Sequence, residues 1–384
     1  MSATAARPVG TSRRQGDDTG AHDSAAALRV AGGSRLIAYR LDRSFAWNAS
    51  HPPKLPAPPR KIPAGLGVRI FDRRVESAIG IAAGPLLNSR WIEAYARLGY
   101  GLLTYKTVRT SARPALPQPN LLYCSAGNPA VVESAPRPLD PAAVTWAVSC
   151  GLPSAHPDEW RVDVMRAKSK ILPAQVLIVS VVGTAVPGAG PDQLADDYAL
   201  CARWAADAGA DVIEVHLACP NTTGDQPQML FENLLLSAYI VDRVRRAVGL
   251  RPVIAKLGAT RSPRALHELA SRLAPRVDGF VLVSGLQRRV VKPDGKPAFA
   301  DEGRTTSAVV GAGVYGLCAV QVHELLAWRK AGAWSRAILA LGGLTTVERV
   351  RDALASGADA AMVATAALVD PLIGTRFLMQ SARA

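Results

Sequence analysis

Short β-branched and apolar runs alternate with segments of helical periodicity from about Val75 onward. This alternation is typical of repeated βα units around a parallel sheet. The runs predicted as strands are Ala78–Ala83, Gly101–Lys106, Val176–Val182, Val212–His216, Pro252–Lys256, Gly279–Val283, Ala337–Leu341 and Ala360–Ala364. The helices predicted between them include Asp192–Ala208, Leu230–Val248, Ser262–Leu273, Cys318–Ala331 and Val347–Ser356.

Eight parallel strands favour a closed (β/α)8 barrel, the TIM-barrel class of α/β fold, over an open doubly wound sheet. The glycine fingerprint Gly-x-Gly-x-x-Gly of the open sheet is missing after the first strand. We expect the barrel to occupy residues 66–384. Residues 1–65 are rich in Ser, Gly, Pro, Ala and Arg, so we expect a largely irregular tail or arm, with room for a short helix at Ala25–Tyr39.

Two connections are too long to be simple βα loops, Thr107 to about Leu172 and Leu286 to about Gly313. Long loops in compact domains usually cover a ligand site or contain extra secondary structure. Both begin at carboxyl ends of predicted strands, the end of a barrel where active sites lie. We therefore predict loop insertions over the catalytic face.

Composition narrows the chemistry that the chain can perform. Hydrophobic residues make up 49% of the 384 positions and charged residues 20%, which excludes wholesale disorder. The five cysteines are scattered without a Cys-x-x-Cys pair, so neither a disulfide framework nor a metal or iron–sulfur site is indicated. Any redox chemistry then requires an organic cofactor. Without a long apolar run or a secretory signal, a cytoplasmic protein with no membrane span is expected.

The formal charge of +14 raises the question of nucleic acid binding. The arginines are spread along the chain, and no basic stripe is interleaved with aromatic residues. We expect no nucleic-acid partner. The positive charge is better suited to attracting a small anionic phosphate or carboxylate ligand.

The segment with the clearest chemical character is Glu214-Val-His-Leu-Ala-Cys-Pro-Asn-Thr-Thr-Gly224. It runs from the fourth strand into a Cys-Pro-Asn turn at the catalytic rim, and it resembles the Asn-Leu-Ser-Cys-Pro-Asn segment of cytosolic dihydroorotate dehydrogenases. Further segments resemble that family in the same order: Ala82-Ala-Gly-Pro85, Thr104-Tyr-Lys-Thr-Val108, Ala255-Lys-Leu257, Leu341-Gly-Gly-Leu-Thr345 and Val363-Ala-Thr-Ala-Ala367. The resemblance extends over about Leu66–Phe377 and identifies a divergent member.

The resemblance implies an FMN-dependent oxidoreductase of CH–CH bonds beside a carbonyl, as in pyrimidine metabolism. It implies that Cys219 transfers the proton, with His216 as a second catalytic candidate. The cofactor-binding residues that it implies are Ala82, Ala83, Gly84, Lys106, Thr107, Lys256, Ser284, Gly285, Gly313, Gly316, Gly342, Gly343, Ala364 and Thr365. The substrate-binding residues that it implies are Lys106, Ser149, Gly151, Leu152, Asn221 and Ser284.

Each of these roles has a simpler structural alternative. Gly342 and Gly343 suit backbone approach to a phosphate but also suit an ordinary tight turn. A lysine at the end of an apolar strand, such as Lys256, requires a negative partner, either a reduced flavin or a carboxylate. Cys219 can be a buried small hydrophobe rather than a base.

The sequence departs from the family where substrate amides are expected. His216 and Ser284 stand at positions that carry asparagine in the family motifs, and Val148 replaces another asparagine in Ala147-Val-Ser-Cys-Gly-Leu-Pro153. Unpaired substrate groups would cost about 1–3 kcal/mol each. These changes argue for a specialised small cyclic, carbonyl-bearing substrate. His216 could donate to a substrate oxygen, titrate near neutrality, relay a proton or be a core histidine.

Three other functions remain open at this point. They are an authentic dihydroorotate dehydrogenase with compensating contacts, a flavin-binding barrel without catalysis, and a phosphate-binding barrel without flavin. Since no second nucleotide domain or iron–sulfur cluster is visible, a small-molecule electron acceptor is favoured. The family resemblance also leaves a homodimer open.

Overall fold

A computed structural model of the chain describes Met1 and residues 38–56, 67–125, 130–220, 229–299, 304–332 and 334–382. The predicted helix at Ala25–Tyr39 lies almost entirely outside the described residues. Fifteen strands are described: β1 Val68–Ile70, β2 Arg73–Val75, β3 Ile79–Leu86, β4 Leu102–Val108, β5 Leu121–Tyr123, β6 Val131–Glu133, β7 Thr145–Val148, β8 Val176–Val181, β9 Val212–His216, β10 Val253–Lys256, β11 Gly279–Leu282, β12 Leu286–Val291, β13 Thr306–Gly311, β14 Ala337–Leu341 and β15 Ala360–Val363.

The helices alternate with these strands around the fold. Those described are α1 Phe45–Ser50, α2 Ser89–Tyr95, α3 Pro157–Lys170, α4 Pro191–Asp207, α5 Leu234–Val248, α6 Pro263–Leu273, α7 Tyr315–Lys330, α8 Val347–Ala355, α9 Thr365–Val369 and α10 Ile373–Ser381. Among these described elements, no helix combines the length and apolar character required to cross a bilayer.

A closed parallel barrel forms the centre of the fold, which confirms the predicted fold class. Its strand order is β10-β11-β14-β15-β3-β4-β8-β9, with β9 paired to β10. These eight strands coincide with the eight predicted strands to within a few residues. Helices on the outside and side chains on the inside bury both faces of each strand, which is why the strands read as continuous apolar runs.

The interior of the barrel changes from apolar to polar towards the carboxyl ends of the strands. Val176, Ile178, Val212 and Ile254 belong to one buried cluster inside the barrel. Because successive side chains alternate between the two faces of a strand, Ser180, Glu214 and Lys256 point to the same side as the cluster residues two positions before them. The chain therefore places charged groups inside the barrel beneath its carboxyl-terminal end, which we call the mouth.

The two long connections build a second sheet, of order β5-β7-β13-β12-β6. Strands β5, β6 and β7 come from the first connection, and β12 and β13 come from the second. The first connection also contains α3, which sequence periodicity did not identify. The prediction that these loops contain extra structure is thus confirmed.

Residues 38–56 of the expected arm are ordered against the barrel domain. The backbone N–H of Ala38 donates to Leu368 O at 2.7 Å, and Trp91 Nε1 donates to Asn48 O at 3.1 Å. Asn48 is fully buried; its side chain accepts from Arg40 N and donates to carbonyl oxygens within the segment. This part of the arm therefore lies against the barrel domain and includes the short helix α1.

We expect the Asn48→Ala variant to lower the free energy of unfolding by about 1–3 kcal/mol, because it leaves several buried backbone groups unpaired. Urea unfolding monitored by circular dichroism measures this change. The Ser50→Ala variant is the matched control, since its exposed hydroxyl lies on the same helix. Equal unfolding free energies for the two variants would show that the segment does not contribute to the fold.

Candidate active site

The site lies at the mouth, where strand ends distant in sequence meet. Lys256 is the last residue of β10, and its Nζ lies 3.5 Å from the carbonyl oxygen of Ala83. Strand β3, which carries Ala83, is four positions away from β10 in the eight-stranded barrel. The lysine side chain therefore crosses the mouth and reaches the Ala82–Gly84 segment that was predicted to contact a flavin.

The Ala82–Gly84 segment opens at the mouth after a buried start to the strand. Ala82 is fully buried, Ala83 is partly exposed and Gly84 is exposed. Gly84 has φ of +131°, and a Cβ built on it would meet no atom within 4 Å. The strand end therefore borders open space at Gly84, and Lys256 Nζ lies beside the preceding residue, Ala83.

Lys106, near the end of β4, is buried and faces backbone oxygens rather than a carboxylate. Its Nζ donates to Thr107 O at 2.8 Å and to Pro153 O. Burial, with the Arg109 guanidinium nearby, lowers the pKa of Lys106 to about 7. A bound anion would raise that pKa again, so Lys106 is suited to binding a negatively charged ligand group.

The loop after β7 is brought to Lys106, as expected for a substrate loop. Besides the Pro153 contact, Arg109 Nε donates to Leu152 O at 3.2 Å. Leu152 has φ of +50°, and Ser149, Gly151 and Leu152 are all partly exposed. The loop therefore presents backbone groups beside a titratable lysine. Asn221, the other predicted substrate residue on a loop, lies outside the described residues.

Glu214 supplies the carboxylate alternative for Lys256. Its Oε1 lies 3.5 Å from Lys256 Nζ, with side chains 0% and 3% exposed respectively. Within the described part of the chain, neither carboxylate oxygen of Glu214 has a hydrogen-bond partner, and the same holds for Thr104 Oγ1 and His216 Nδ1. Buried polar atoms are rarely left without partners in the absence of ligand or water. This set fits a site that is completed by a bound polar molecule.

His216 ends β9 next to Lys256, its partner residue on β10. Burial, strengthened by the positive charges of Lys256 and Arg109, lowers the pKa of His216 to about 3. The imidazole is therefore neutral at pH 7. Of the roles considered from sequence, donation to a substrate oxygen suits these surroundings better than titration near neutrality.

Cys219 lies just beyond β9 and is 3% exposed. Its Sγ is 3.4 Å from His216 O and 3.8 Å from the hydroxyl oxygen of Tyr198. Burial raises the pKa of Cys219 to about 11, while Tyr198, Arg109 and Arg113 act in the opposite direction. The thiol is thus protected from solvent, with a hydroxyl and positive charges around it.

The loops predicted to hold a phosphate meet at the other side of the mouth. Gly342 and Gly343 follow β14 with φ of +118° and +72°, and Cβ atoms there would clash with Cys318 and Tyr315 at 2.5–2.6 Å. Their first effect is therefore close packing of this turn against the start of α7. Gly316, in the first turn of α7, has open space at its Cβ position.

The start of α7 fits an anion. The Tyr315 N–H donates to Ala312 O in the preceding turn, and the N-cap residue, Val314, provides no side-chain hydrogen bond to the amides that follow. Uncapped amides at a helix N-terminus bind phosphate groups well. Gly313 is exposed next to this turn, its N–H donating to Thr145 Oγ1 at 2.9 Å. Ala364 and Thr365 stand at the start of α9, after β15.

The remaining cofactor candidates occupy the strand ends between these two regions. Ser284 and Gly285 follow β11, and Ser284 N donates to Leu257 O at 2.9 Å. Thr107 Oγ1 lies 3.0 Å from Ser180 Oγ. The described candidates thus lie at or next to carboxyl ends of barrel strands or at the helix starts that follow them, as a single mouth requires.

Besides Glu214, four residues of the mouth were not identified from the sequence. Arg109 donates to Gly183 O and Thr184 Oγ1, both at 2.9 Å, and Tyr198 contacts the cysteine loop. Arg349 donates to Gly343 O at 2.9 Å and lies over the ring of Tyr315. Phe45, from α1, has its ring centroid 5.6 Å from Lys106 Nζ. Of these four, only Arg109 could have been suspected from the sequence, because it stands three residues after Lys106.

A separate groove of about 790 Å³ lies at the opposite end of the barrel. It is lined by residues that precede barrel strands, including Asp278 and Asp359. These carboxylates are already engaged by arginines, Asp278 by Arg245 and Asp359 by Arg329, both at 2.5 Å. Among the described residues, Trp334 Nε1 is the unpartnered buried polar atom of its lining, whereas the mouth contains unpartnered atoms of Glu214, Thr104 and His216, so the size of the groove does not make it the functional site.

The chain is similar in sequence to known dihydroorotate dehydrogenases. The chain is 29% identical over 333 residues to a dihydroorotate dehydrogenase of Dictyostelium discoideum, covering 81% of this chain and 86% of that protein. It is 24% identical to a dihydroorotate dehydrogenase (quinone) of Bordetella avium, covering 81% and 84%. A dihydroorotate dehydrogenase B (NAD(+)) catalytic subunit of Staphylococcus carnosus is 28% identical over 46% of this chain. No protein-family model matches the chain.

The buried, neutral His216 should make stability depend on pH. An unfolded histidine titrates near 6.5, so between about pH 6.5 and pH 3 the unfolded chain binds more protons than the folded one. We expect the contribution of the neutral His216 to the free energy of unfolding to be fully present above pH 6.5. On acidification it should fall by up to about 1.4 kcal/mol per pH unit. Urea unfolding across this range measures it.

The His216→Asn variant should lose this part of the pH dependence. The His323→Asn variant, which changes an exposed histidine on α7, should keep it. Parallel stability curves for wild type and His216→Asn would contradict the neutral assignment.

Proposed function

We propose that this chain, a divergent member of the dihydroorotate dehydrogenase family, is an FMN-dependent oxidoreductase that acts on CH–CH bonds next to a carbonyl group. The observation that carries the proposal is that the Lys256 side chain reaches across the mouth to Ala83 O, next to the open space at the Cβ position of Gly84. A buried ammonium next to this open strand end would stabilise the negative charge of a reduced flavin. The ion pair with Glu214 does not exclude this role, because the carboxylate makes no hydrogen bond to the lysine.

Other residues of the mouth are proposed to bind the FMN phosphate, to bind the substrate and to transfer the proton. FMN supplies the hydride acceptor when it is bound. Its phosphate is proposed to lie at the start of α7, near Arg349, Gly316 and the Gly342–Gly343 turn. Lys106 and the Ser149–Leu152 loop hold the substrate's anionic or carbonyl groups. Cys219 removes the proton from the carbon beside the carbonyl as the hydride leaves the neighbouring carbon, which completes a two-electron oxidation.

The substrate is proposed to be a small cyclic, carbonyl-bearing molecule other than dihydroorotate. Val148, His216 and Ser284 replace three amides, and the neutral His216 offers one N–H and one acceptor in place of an amide. The electron acceptor is proposed to be a small molecule. The relatives' names favour the second candidate, an authentic dihydroorotate dehydrogenase, and anaerobic bleaching of the flavin by dihydroorotate would establish it.

We expect the Cys219→Ala variant to bind FMN as tightly as wild type but to reduce it in the presence of substrate about 10²–10⁴-fold more slowly, the range for loss of a general base. FMN affinity is measured from flavin fluorescence, and reduction by anaerobic stopped-flow absorbance. Cys124→Ala, another buried cysteine, is the matched control. A protein that never acquires FMN would overturn the redox function. A Cys219→Ala variant with wild-type rates would overturn only the base assignment.

Restoring the amides should move the activity towards dihydroorotate. Each replacement in the series Val148→Asn, His216→Asn and Ser284→Asn restores a donor–acceptor pair worth about 1–3 kcal/mol. We expect kcat/KM for dihydroorotate to rise by roughly tenfold or more per productive replacement and furthest in the triple variant. If wild type already oxidises dihydroorotate efficiently and the triple variant does so no better, the specialised substrate is ruled out.

A further inference from the structure

Tyr198 brings a buried hydroxyl to the proton-transferring cysteine from the neighbouring helix. The residue lies within α4 and is fully buried. Its hydroxyl oxygen is 2.9 Å from His216 O and 3.8 Å from Cys219 Sγ. Cys219 Sγ is itself 3.4 Å from the same carbonyl oxygen. The three atoms therefore form a triangle in which two donors share one carbonyl acceptor.

The ring of Tyr198 is held in place by close packing. A Cβ on Gly183 would lie 2.6 Å from Tyr198 Cδ2, so only glycine at 183 allows the ring its observed position. The adjacent Asp197 accepts from Thr184 N at 2.7 Å, and Arg109 donates to Gly183 O. The middle of α4 and the segment after β8 are thus joined next to the ring, and rotation of the O–H bond can redirect the hydroxyl proton without moving the ring.

A tyrosine hydroxyl has one proton to donate. When Cys219 is a thiol, that proton is best directed to His216 O, and the S–H group can donate to the same oxygen or to the tyrosine. When Cys219 is a thiolate, the sulfur becomes the stronger acceptor, since hydrogen bonds to charged groups are about twice as strong as neutral ones.

We propose that Tyr198 is the positioning residue of Cys219, redirecting its O–H proton from the His216 carbonyl oxygen to the sulfur whenever the thiolate forms. This inference rests on the proposed function, in which Cys219 is the base. In substrate oxidation the thiolate accepts the proton from the substrate carbon, an S–H bond forms, and the Tyr198 proton returns to His216 O. No proton leaves the tyrosine, so the residue orients and stabilises without being consumed.

The charged surroundings make this hydrogen bond important. Burial of the thiol raises the pKa of Cys219, and the groups that oppose the rise are Tyr198 on α4 and the guanidinium groups of Arg109 and Arg113 after β4. His216, on β9, is neutral at pH 7. Arg109 is itself directed to Gly183 O and Thr184 Oγ1. Of these three groups that oppose the rise, Tyr198 is the one whose described contact is with the sulfur itself.

The test is the Tyr198→Phe variant, which keeps the ring and removes only the hydroxyl. We expect the rate of flavin reduction to fall roughly ten- to hundredfold between about pH 6 and 9, on the acidic limb of the pH–rate profile. The limb should move to higher pH, and KM should stay unchanged. The FMN dissociation constant and the unfolding midpoint should stay close to wild type. In the FMN-free protein, the Cys219 thiolate absorbance, taken as wild type minus Cys219→Ala, should appear at higher pH.

Two further variants separate a positioning role from packing. Tyr95→Phe removes an equally buried hydroxyl that donates to Ala367 O, away from the cysteine, and should leave the pH profile unchanged. Replacing Tyr198 by 3-fluorotyrosine makes the phenol more acidic and a stronger donor, and should move the limb to lower pH. This opposite shift also tests the inference if Tyr198→Phe fails to fold.

An unchanged pH limb in both Tyr198 variants, while Cys219→Ala abolishes reduction, would overturn this inference and leave the proposed function standing. Full activity of Cys219→Ala would instead overturn the base assignment, and the inference with it. Equal effects of Tyr198→Phe and Tyr95→Phe on the pH profile would reduce Tyr198 to a packing residue.

Discussion

A charged pair inside the barrel constrains the chemistry of this protein more than any other interaction. Lys256 and Glu214 are buried at 3.5 Å from each other, where desolvation opposes their attraction, and no described residue donates a hydrogen bond to the carboxylate oxygens. Apolar side chains of similar volume would fill the same space at no electrostatic cost. The pair therefore contributes little to stability, and its effect is to fix an ammonium group across the mouth beside Ala83.

Around this pair, burial favours the uncharged form of the neighbouring titratable groups. The pKa of Lys106 falls to about 7 and that of His216 to about 3, while the pKa of Cys219 rises to about 11. The shared physical cause is desolvation, which a negatively charged ligand would partly offset for the lysine. The mouth thus combines low polarity with groups that regain charge when an anion is bound, the condition under which electrostatic stabilisation is strongest.

The sequence predicted the barrel well because each strand is an apolar run whose period and bounds depend on local pattern. All eight barrel strands and most of the helices around them lie where hydrophobic periodicity indicated. Strands β5, β6 and β7 escaped detection because they are only three or four residues long, and they pair with β12 and β13 from far along the chain. Helix α3 was not identified because its apolar face is weak, so its helical periodicity did not stand out within the long connection.

The candidate site was predictable where a motif stands at a strand end, as for Lys106, Lys256 and Cys219. Sequence could not reveal Glu214 as the partner of Lys256, because that contact depends on the register between β9 and β10. Nor could it reveal Tyr198, whose role depends on the packing of α4 against Gly183. Gly342 and Gly343 were predicted to approach a phosphate, with an ordinary tight turn as the alternative. Their positive φ values, and the clashes that Cβ atoms would make with α7, show that they are also required for close packing there.

The ring of Phe45 over the Lys106 ammonium links a segment outside the barrel to the protonation of a residue inside it. Attraction between a cation and an aromatic face favours the charged lysine, whereas burial disfavours it. Sequence drift in the region before the barrel can therefore alter the affinity for an anionic ligand while every strand and loop of the barrel stays the same. In related chains, differences at this upstream helix would alter ligand preference without any change at the mouth.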